Sequence, residues 1–309
     1  MFEIVSKSSI GLGLFLLGMK FLTEGLNRFA SSKFRYMLIN LKINPLFGIL
    51  IGTVITGILQ SSSGTTVILV GLVQANLLTL YQATPIIMGA NIGTTVTSQL
   101  IAFNIQQYAF IPLILGMLIS MISKNKKIRY IGEVFIGFSL IFIGIDLLTR
   151  SLSPLKDILA FQQVLGEFGK VPILGTLMGF FSISILQSSS TGIAILQTLA
   201  SSGSISIYSA VSIMLGMNIG TCMTAILSSI ALNRAARQTA FVHLLFNIVG
   251  LILIFPFINL LCSIAISLSP FNLSRQIANA HTIFNIFSTL ILLPFIDVFV
   301  NMVELIIKK

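Results

Sequence analysis

The run Gln60-Ser61-Ser62-Ser63-Gly64-Thr65-Thr66 returns, at an offset of 127, as Gln187-Ser188-Ser189-Ser190-Thr191-Gly192. Both copies interrupt strongly apolar sequence, where hydroxyl and amide side chains are costly unless they have something to bind. The doubled run therefore marks a site, and the organisation of the chain is read outward from it.

Composition sets the class. Of 309 residues 55% are hydrophobic and only 8% charged, with a mean hydropathy of +1.02, whereas a soluble domain carries about a quarter charged residues. The fold class is an all-α polytopic membrane protein, with room for about seven spans at roughly 20 residues each. The longest polar-leaning stretch, Arg150 to Val171, is too short to fold alone. The net charge of +10 does not point to nucleic acid, because the basic residues cluster in short loops between apolar runs, as orientation in a bilayer requires. Cys222 and Cys262 both lie in apolar segments, so no disulfide framework is expected. The N-terminal stretch from Met1 to Ala30 lacks a small-residue cleavage site and is echoed later in the chain, so it is expected to be retained.

Taken in order, span 1 runs from about Ser9 to Phe29, and the basic residues Arg28, Lys33, Arg35 and Lys42 follow. Pro45 opens an apolar piece that the first motif interrupts, and a second piece continues to about Leu80. Both pieces are short for a span, which fits a re-entrant hairpin with the motif at its tip; two full spans are the alternative. Span 2 covers about Ala83 to Phe103 and span 3 about Tyr108 to Ile122. After the basic loop Lys124, Lys126, Lys127 and Arg129 the pattern restarts. Span 4, Ile131 to Leu152, echoes span 1, and the second motif follows Pro172. Span 5, Tyr208 to Leu232, echoes span 2, with Gly89-Ala90-Asn91-Ile92-Gly93-Thr94 matching Gly216-Met217-Asn218-Ile219-Gly220-Thr221 at the same offset of 127. Span 6, Gln238 to Phe257, echoes span 3, and span 7 is Ile277 to Val300. The expected units are a first repeat over 1–128, a second over 129–270 and an additional C-terminal span over 271–309.

Three spans per repeat is an odd number, so the second repeat enters the bilayer from the opposite face. This is the inverted-topology plan of many secondary transporters, whose sites lie at the midplane between repeats. With the N-terminus outside and the C-terminus cytoplasmic, twelve Lys and Arg residues fall inside and five outside, as the positive-inside rule requires. The location that follows is the plasma membrane, multi-pass.

The residues after each Gln are expected to start a helix, so the Ser N–H groups are free donors at a positive dipole end. Hydroxyls and amides can bind a small oxyanion through N–H and O–H, or a hard cation through oxygen. Asn91, Thr94, Thr95 and Ser98 share one helix face. The matching stripe Asn218, Thr221, Cys222 and Ala225 is less polar. Neither motif contains Lys, Arg, Asp, Glu or His. An unpaired anion in a low-dielectric site costs several kcal/mol even after relaxation, and two helix dipoles of about half a charge offset only part of it. Cations that travel with the anion solve this, and uncharged oxygen ligands suit Na⁺.

Two Gln-Ser-Ser-Ser motifs, each followed by Gly-x-Asn-Ile-Gly-Thr, resemble the type II sodium/phosphate cotransporter family over about residues 10 to 295. The pattern Arg237-Gln238, His243, Phe246-Asn247 resembles that family too. The resemblance implies a bacterial member without the PhoU-like cytosolic domain that many relatives carry, a symporter and not an enzyme, with Na⁺ as coupling ion and no organic cofactor. Its partners are inorganic phosphate and the bilayer, with no nucleic acid; a homo-oligomer is left open. By match, phosphate is bound by Gln60, Ser61, Ser62, Ser63, Gln187, Ser188, Ser189 and Ser190. Sodium is bound by Gln60, Ser63, Thr65, Asn91, Thr94, Thr95, Gln187, Ser190, Thr191, Asn218 and Thr221. Cys222, at the position of Thr95, departs from an ion ligand.

Three other readings stand beside this one: another small oxyanion or proton coupling on the same fold, an ion channel built from interrupted hairpins, and simple helix packing by the Ser, Thr and Gly-xxx-Gly residues. His243 and His281 recur with their neighbours at an offset of 38. They are expected either to hold spans 6 and 7 in the bundle or to carry protons. Lys20 and Asp146 occupy aligned places in spans 1 and 4, and a pair between them would be a buried or snorkelling contact.

Overall fold

The computed structural model describes residues 2–39, 44–103, 106–158, 163, 167, 168 and 170–308. Its helices in chain order are α1 (Phe2–Ile39), α2 (Pro45–Leu59), α3 (Ser62–Gln74), α4 (Leu80–Ile101), α5 (Phe110–Ile122) and α6 (Lys126–Leu152). They continue with α7 (Pro172–Leu186), α8 (Ser189–Ser201), α9 (Ile207–Ser229), α10 (Arg234–Ile254), α11 (Ile258–Leu268), α12 (Leu273–Leu292) and α13 (Ile296–Ile306). Asn44, Ser61, Thr79, Asn125, Ser188, Ser206, Asn233 and Asn272 cap their helices with side-chain oxygens, the chemistry that starts a helix.

Among the described residues, five segments are long and apolar enough to cross a membrane: Glu3–Gly25, Lys126–Leu152, Ile207–Ser229, Arg234–Leu268 and Leu273–Ile306. The protein is an all-helical, multi-pass membrane protein. Two of the seven expected spans do not reach that standard. The α5 helix has 13 residues, about 20 Å at 1.5 Å per residue against a core of about 30 Å. The α4 helix has 22 residues but carries Asn91, Thr94, Thr95, Thr97, Ser98 and Gln99. It is buried on most sides, and a helix that faces protein need not be apolar.

Other boundaries also move. Helix α1 continues to Ile39, through the backbone of Lys33 and Arg35, where a basic loop is expected; Lys42 lies outside the described residues. The last two spans run past Phe257 and Val300, each through a 3-10 turn at Pro256 or Pro294. Proline there stands at the first helical positions, where no N–H donor is missed, so the chain stays helical.

Glycines set the closest helix contacts. A Cβ on Gly52 would strike the carbonyl oxygen of Ile86, one on Gly89 that of Ile49, and one on Gly93 that of Thr53. In α7 and α9 the same contacts recur at the offset of 127, Gly179 against Ile213, Gly216 against Thr176 and Gly220 against Phe180. The α2/α4 crossing is therefore reproduced residue for residue by α7/α9. Helix α1 packs along α6 through Gly11 against Gly144 and Gly18 against Gly137, a register that makes the two helices antiparallel.

That register also separates Lys20 from Asp146. Lys20 lies 4.0 Å from Glu24, and Asp146 pairs with Arg150 at 3.0 Å. Lys20 and Asp146 do not pair with each other, because antiparallel packing sends equivalent positions to opposite ends of the two helices. Helix α5 packs on α6 and exposes Phe110, Ile114 and Met121. Its expected counterpart α10 instead packs among α3, α4, α9 and α12. The packing matches α10 with α12, whose sequences echo at 38 and whose proline turns fall 38 apart. Both cysteines are free and buried.

Candidate functional site

One residue makes each helix break. Gln60 ends α2 in the left-handed conformation, φ 54° and ψ 26°, and Gln187 ends α7 at φ 51° and ψ 23°. A non-glycine residue held there costs about 1–2 kcal/mol. The Gln60 N–H closes α2 on the Thr56 carbonyl at 2.8 Å, and the Gln187 N–H closes α7 on Ile183 at 2.7 Å. The following serine is extended and starts the next helix. Ser61 Oγ accepts from Gly64 N at 3.0 Å, and Ser188 Oγ from Thr191 N at 3.3 Å. A C-cap and an N-cap thus stand back to back without a linker. The N–H groups of Ser62, Ser63, Ser189 and Ser190 fall in the first turns of α3 and α8, where helices offer no internal acceptor. Each of these ends carries about half a positive charge.

The two breaks face one another. Gln60, Ser61 and Ser63 line one cavity together with Gln187, Ser188, Ser189, Ser190 and Thr191, and α1 closes it with Leu16 and Met19. An adjoining cavity is lined by Ser62, Asn91, Thr94, Ser189, Ser190, Asn218 and Thr221. All eight residues expected to bind phosphate are brought together, as are those expected to bind sodium, apart from Thr65 and Thr95. Thr65 Oγ1 donates to the Ser61 carbonyl at 3.0 Å and accepts from Thr56 Oγ1 at 2.9 Å, so it braces the break from behind. Thr95 Oγ1 turns back to the Ile92 carbonyl at 2.7 Å, and Cys222 makes a long contact within its own helix, to Asn218 O at 3.5 Å. Neither Thr65 nor Thr95 lines either cavity.

Two further polar residues line the second cavity, Thr97 and His281, beside Ile193, Met214 and Met217. Thr97 donates to Gln60 Oε1 at 2.7 Å, while Gln60 Nε2 bonds the Gly57 carbonyl. The helical spacing of Thr97 from Asn91 and Thr94 is visible in the sequence, but a period of 3.6 does not decide between positions 97 and 98.

The histidines do the same task twice. His243 Nε2 lies 3.0 Å from Asn91 Oδ1, and His281 Nε2 lies 3.2 Å from Asn218 Oδ1. Asn91 Nδ2 is spent on Asn247 Oδ1 at 3.2 Å and Asn218 Nδ2 on the Met214 carbonyl at 3.2 Å. Each asparagine therefore presents its oxygen, and each histidine donates from Nε2. His281 Nδ1 is then the acceptor for Ser98 Oγ at 3.2 Å. Both histidines tie α10 and α12 into the bundle at the motif asparagines. Among the described residues, no Lys, Arg, Asp or Glu lines either cavity, and no group of three His, Cys, Asp or Glu is placed to hold a metal ion.

The profile of the Na⁺/Pi-cotransporter family matches residues 14–150 and 157–291. The chain belongs to that family. YqeW of Bacillus subtilis (strain 168), whose name assigns no role, is 35% identical over 256 residues, 83% of each chain. A protein of Escherichia coli (strain K12), provisionally named the inorganic phosphate export protein YjbB, is 29% identical over 212 residues, 69% of this chain and 39% of its own length. Sodium-dependent phosphate transport protein 2B of Homo sapiens is 52% identical over 59 residues, 19% of this chain and 9% of that protein. The chain thus spans less than half of the relatives named for phosphate. No solved structure is significantly similar to it. The family and its named relatives are transporters, not enzymes.

Proposed function

We propose that this Na⁺/Pi-cotransporter family member is a sodium-coupled symporter of inorganic phosphate that works by alternating access, with phosphate and Na⁺ bound between the two Gln-Ser-Ser-Ser tips. The observation that carries this reading is the shared cavity. Two helix N-termini and two sets of serine hydroxyls converge on it with no charged side chain among the described lining residues. The donors suit phosphate oxygens. Their combined dipole leaves most of the anion's charge unbalanced. The last carbonyls of α2 and α7, the asparagine oxygens and the hydroxyls of Thr94 and Thr221 suit a hard cation. Each ion then makes the other's binding favourable.

The topology follows the inverted plan, with α2/α3 and α7/α8 as re-entrant hairpins, residues 1–128 and 129–270 as the two repeats, and 271–309 as an added span. The chain sits in the plasma membrane, N-terminus outside and C-terminus cytoplasmic. The antiparallel course of the equivalent helices α1 and α6, and the basic residues concentrated on one face, support that plan. The packing equivalence of α10–α11 with α12–α13 adds that the C-terminal span completes the first half rather than standing apart.

Radiolabelled phosphate uptake into proteoliposomes tests the function. An inward Na⁺ gradient is expected to concentrate phosphate, and replacing Na⁺ with choline to abolish this. His281, a titratable side chain at the cavity, makes proton coupling the second reading. Uptake that ignores the choline swap and follows a pH gradient would establish it instead.

A further inference from the structure

The two tips share one backbone conformation but their glutamine side chains are used differently. Gln60 is buried, 7% exposed, and is held at its carbonyl oxygen by Thr97. Gln187 is exposed and makes no side-chain hydrogen bond among the described residues. The residue that stands to Gln187 as Thr97 stands to Gln60 is Thr224, at the same offset of 127. Thr224 Oγ1 is out of reach of water and finds no partner among the described residues.

A buried hydroxyl without a partner is a group that some other arrangement must satisfy. The scaffold for that arrangement is already in place. The glycine contacts that seat α2 on α4 recur without change where α7 seats on α9, and Gln60 and Gln187 differ by 3° in both φ and ψ. Thr224 is thus held relative to the Gln187 backbone as Thr97 is to that of Gln60. On that scaffold a rotation of the Gln187 side chain would make the bond that Gln60 makes.

We propose that Thr97 and Thr224 are positioning residues for the two tip glutamines, and that their bonds alternate during transport. In the state described here Thr97 holds the Gln60 side chain, while the Gln187 side chain is unheld in the cavity that both residues line. In the opposite state Thr224 stows Gln187, and Gln60 is released. This rests on the alternating-access reading but not on which ions travel. The bundle ends also differ in this state. A cavity of about 540 Å³ opens where α4, α6 and α8 end, lined by Thr149 among others. At the opposite end Val70, Ala225, Ala236 and Ala240 pack together, and Asn233 Nδ2 bonds the Gln74 carbonyl at 3.2 Å.

The equivalent, half-buried residues Thr149 and Thr23 report on the two ends. Each is changed to cysteine in turn, and the rate of modification by N-ethylmaleimide is measured on the purified protein; the native cysteines are buried and set the baseline. Thr97→Val is expected to slow modification at Thr149→Cys and speed it at Thr23→Cys. Thr224→Val is expected to do the reverse. The shifts should be about tenfold, the population change set by one hydrogen bond. Thr97→Ser and Thr224→Ser keep the hydroxyl and should match the parent. Thr224→Val removes a group with no partner, so it folds even if Thr97→Val does not, and decides the question alone. Reporters that stay still in Thr224→Val, or that both move in the same direction, overturn the proposal. If uptake on the same preparations still requires Na⁺ in that case, the symport reading survives and only the alternation falls.

Discussion

Gln60 and its repeat equivalent Gln187 are both in left-handed backbone conformation and line the same cavity. Strain repeated at two equivalent positions belongs to the site rather than to chance packing. It identifies the Gln side chain as the reason a glycine is absent where glycine would be easier. Gln187→Gly is therefore expected to raise thermal stability in detergent by up to about 1 kcal/mol while abolishing phosphate uptake. Gln187→Ala keeps the strain, so it should lose uptake without that gain. Paired melting curves and uptake assays on the two variants read the difference. A Gln187→Gly protein less stable than Gln187→Ala contradicts this account of the break.

The histidine–asparagine contacts predict a second result. His281 donates from Nε2 to Asn218 Oδ1, and glutamine can supply an N–H at nearly the same place. His281→Gln should hold the apparent phosphate affinity within about twofold, whereas His281→Leu should weaken it by about tenfold, the scale of one net hydrogen bond. Equal losses in both variants would mean that the ring itself, and not its donated proton, is needed.

Glycine substitutions separate seam from surface. Gly216→Ala drives a methyl into the Thr176 carbonyl and should destabilise by about 3 kcal/mol. Gly71→Ala, where nothing lies within 4 Å of the added atom, should stabilise by up to about 1 kcal/mol. Thermal unfolding of the two variants checks both signs.

Thr95 is expected as a sodium ligand by family resemblance, yet its hydroxyl is returned to its own helix. Thr95→Cys, which copies the second repeat, should keep the Na⁺ dependence of uptake within about twofold. Loss of Na⁺ dependence in that variant would restore Thr95 as a ligand.

Much of this is legible in the sequence, and the exceptions have physical causes. The break at Gln60–Ser61 and its echo can be read directly, because polar side chains in apolar sequence demand a partner. Asn91 and Asn218 are found by their offset, and the second cavity contains both. Thr97 escapes such a reading because helical periodicity tolerates a shift of one residue. His281 stands out as a repeated residue but not as a cavity wall, since its helix comes from outside either repeat as the sequence divides them. The echo at 38 already points from α10 to α12, but a few matched residues near Gln107 and Gln238 point to α5, and packing, which leaves α5 at the periphery, decides between them. Lys20 and Asp146 do not pair because alignment fixes equivalence and says nothing of helix direction.

On the proposed function, the uncharged pocket between the two helix breaks accepts phosphate only in the company of Na⁺. Equilibrium binding of radiolabelled phosphate to the purified protein, titrated with Na⁺ at constant ionic strength made up with choline, measures this most directly. Phosphate affinity is predicted to rise steeply with Na⁺, and Na⁺ affinity to rise by the same factor with phosphate, as linkage requires. Phosphate bound equally well in Na⁺ and in choline would contradict the account.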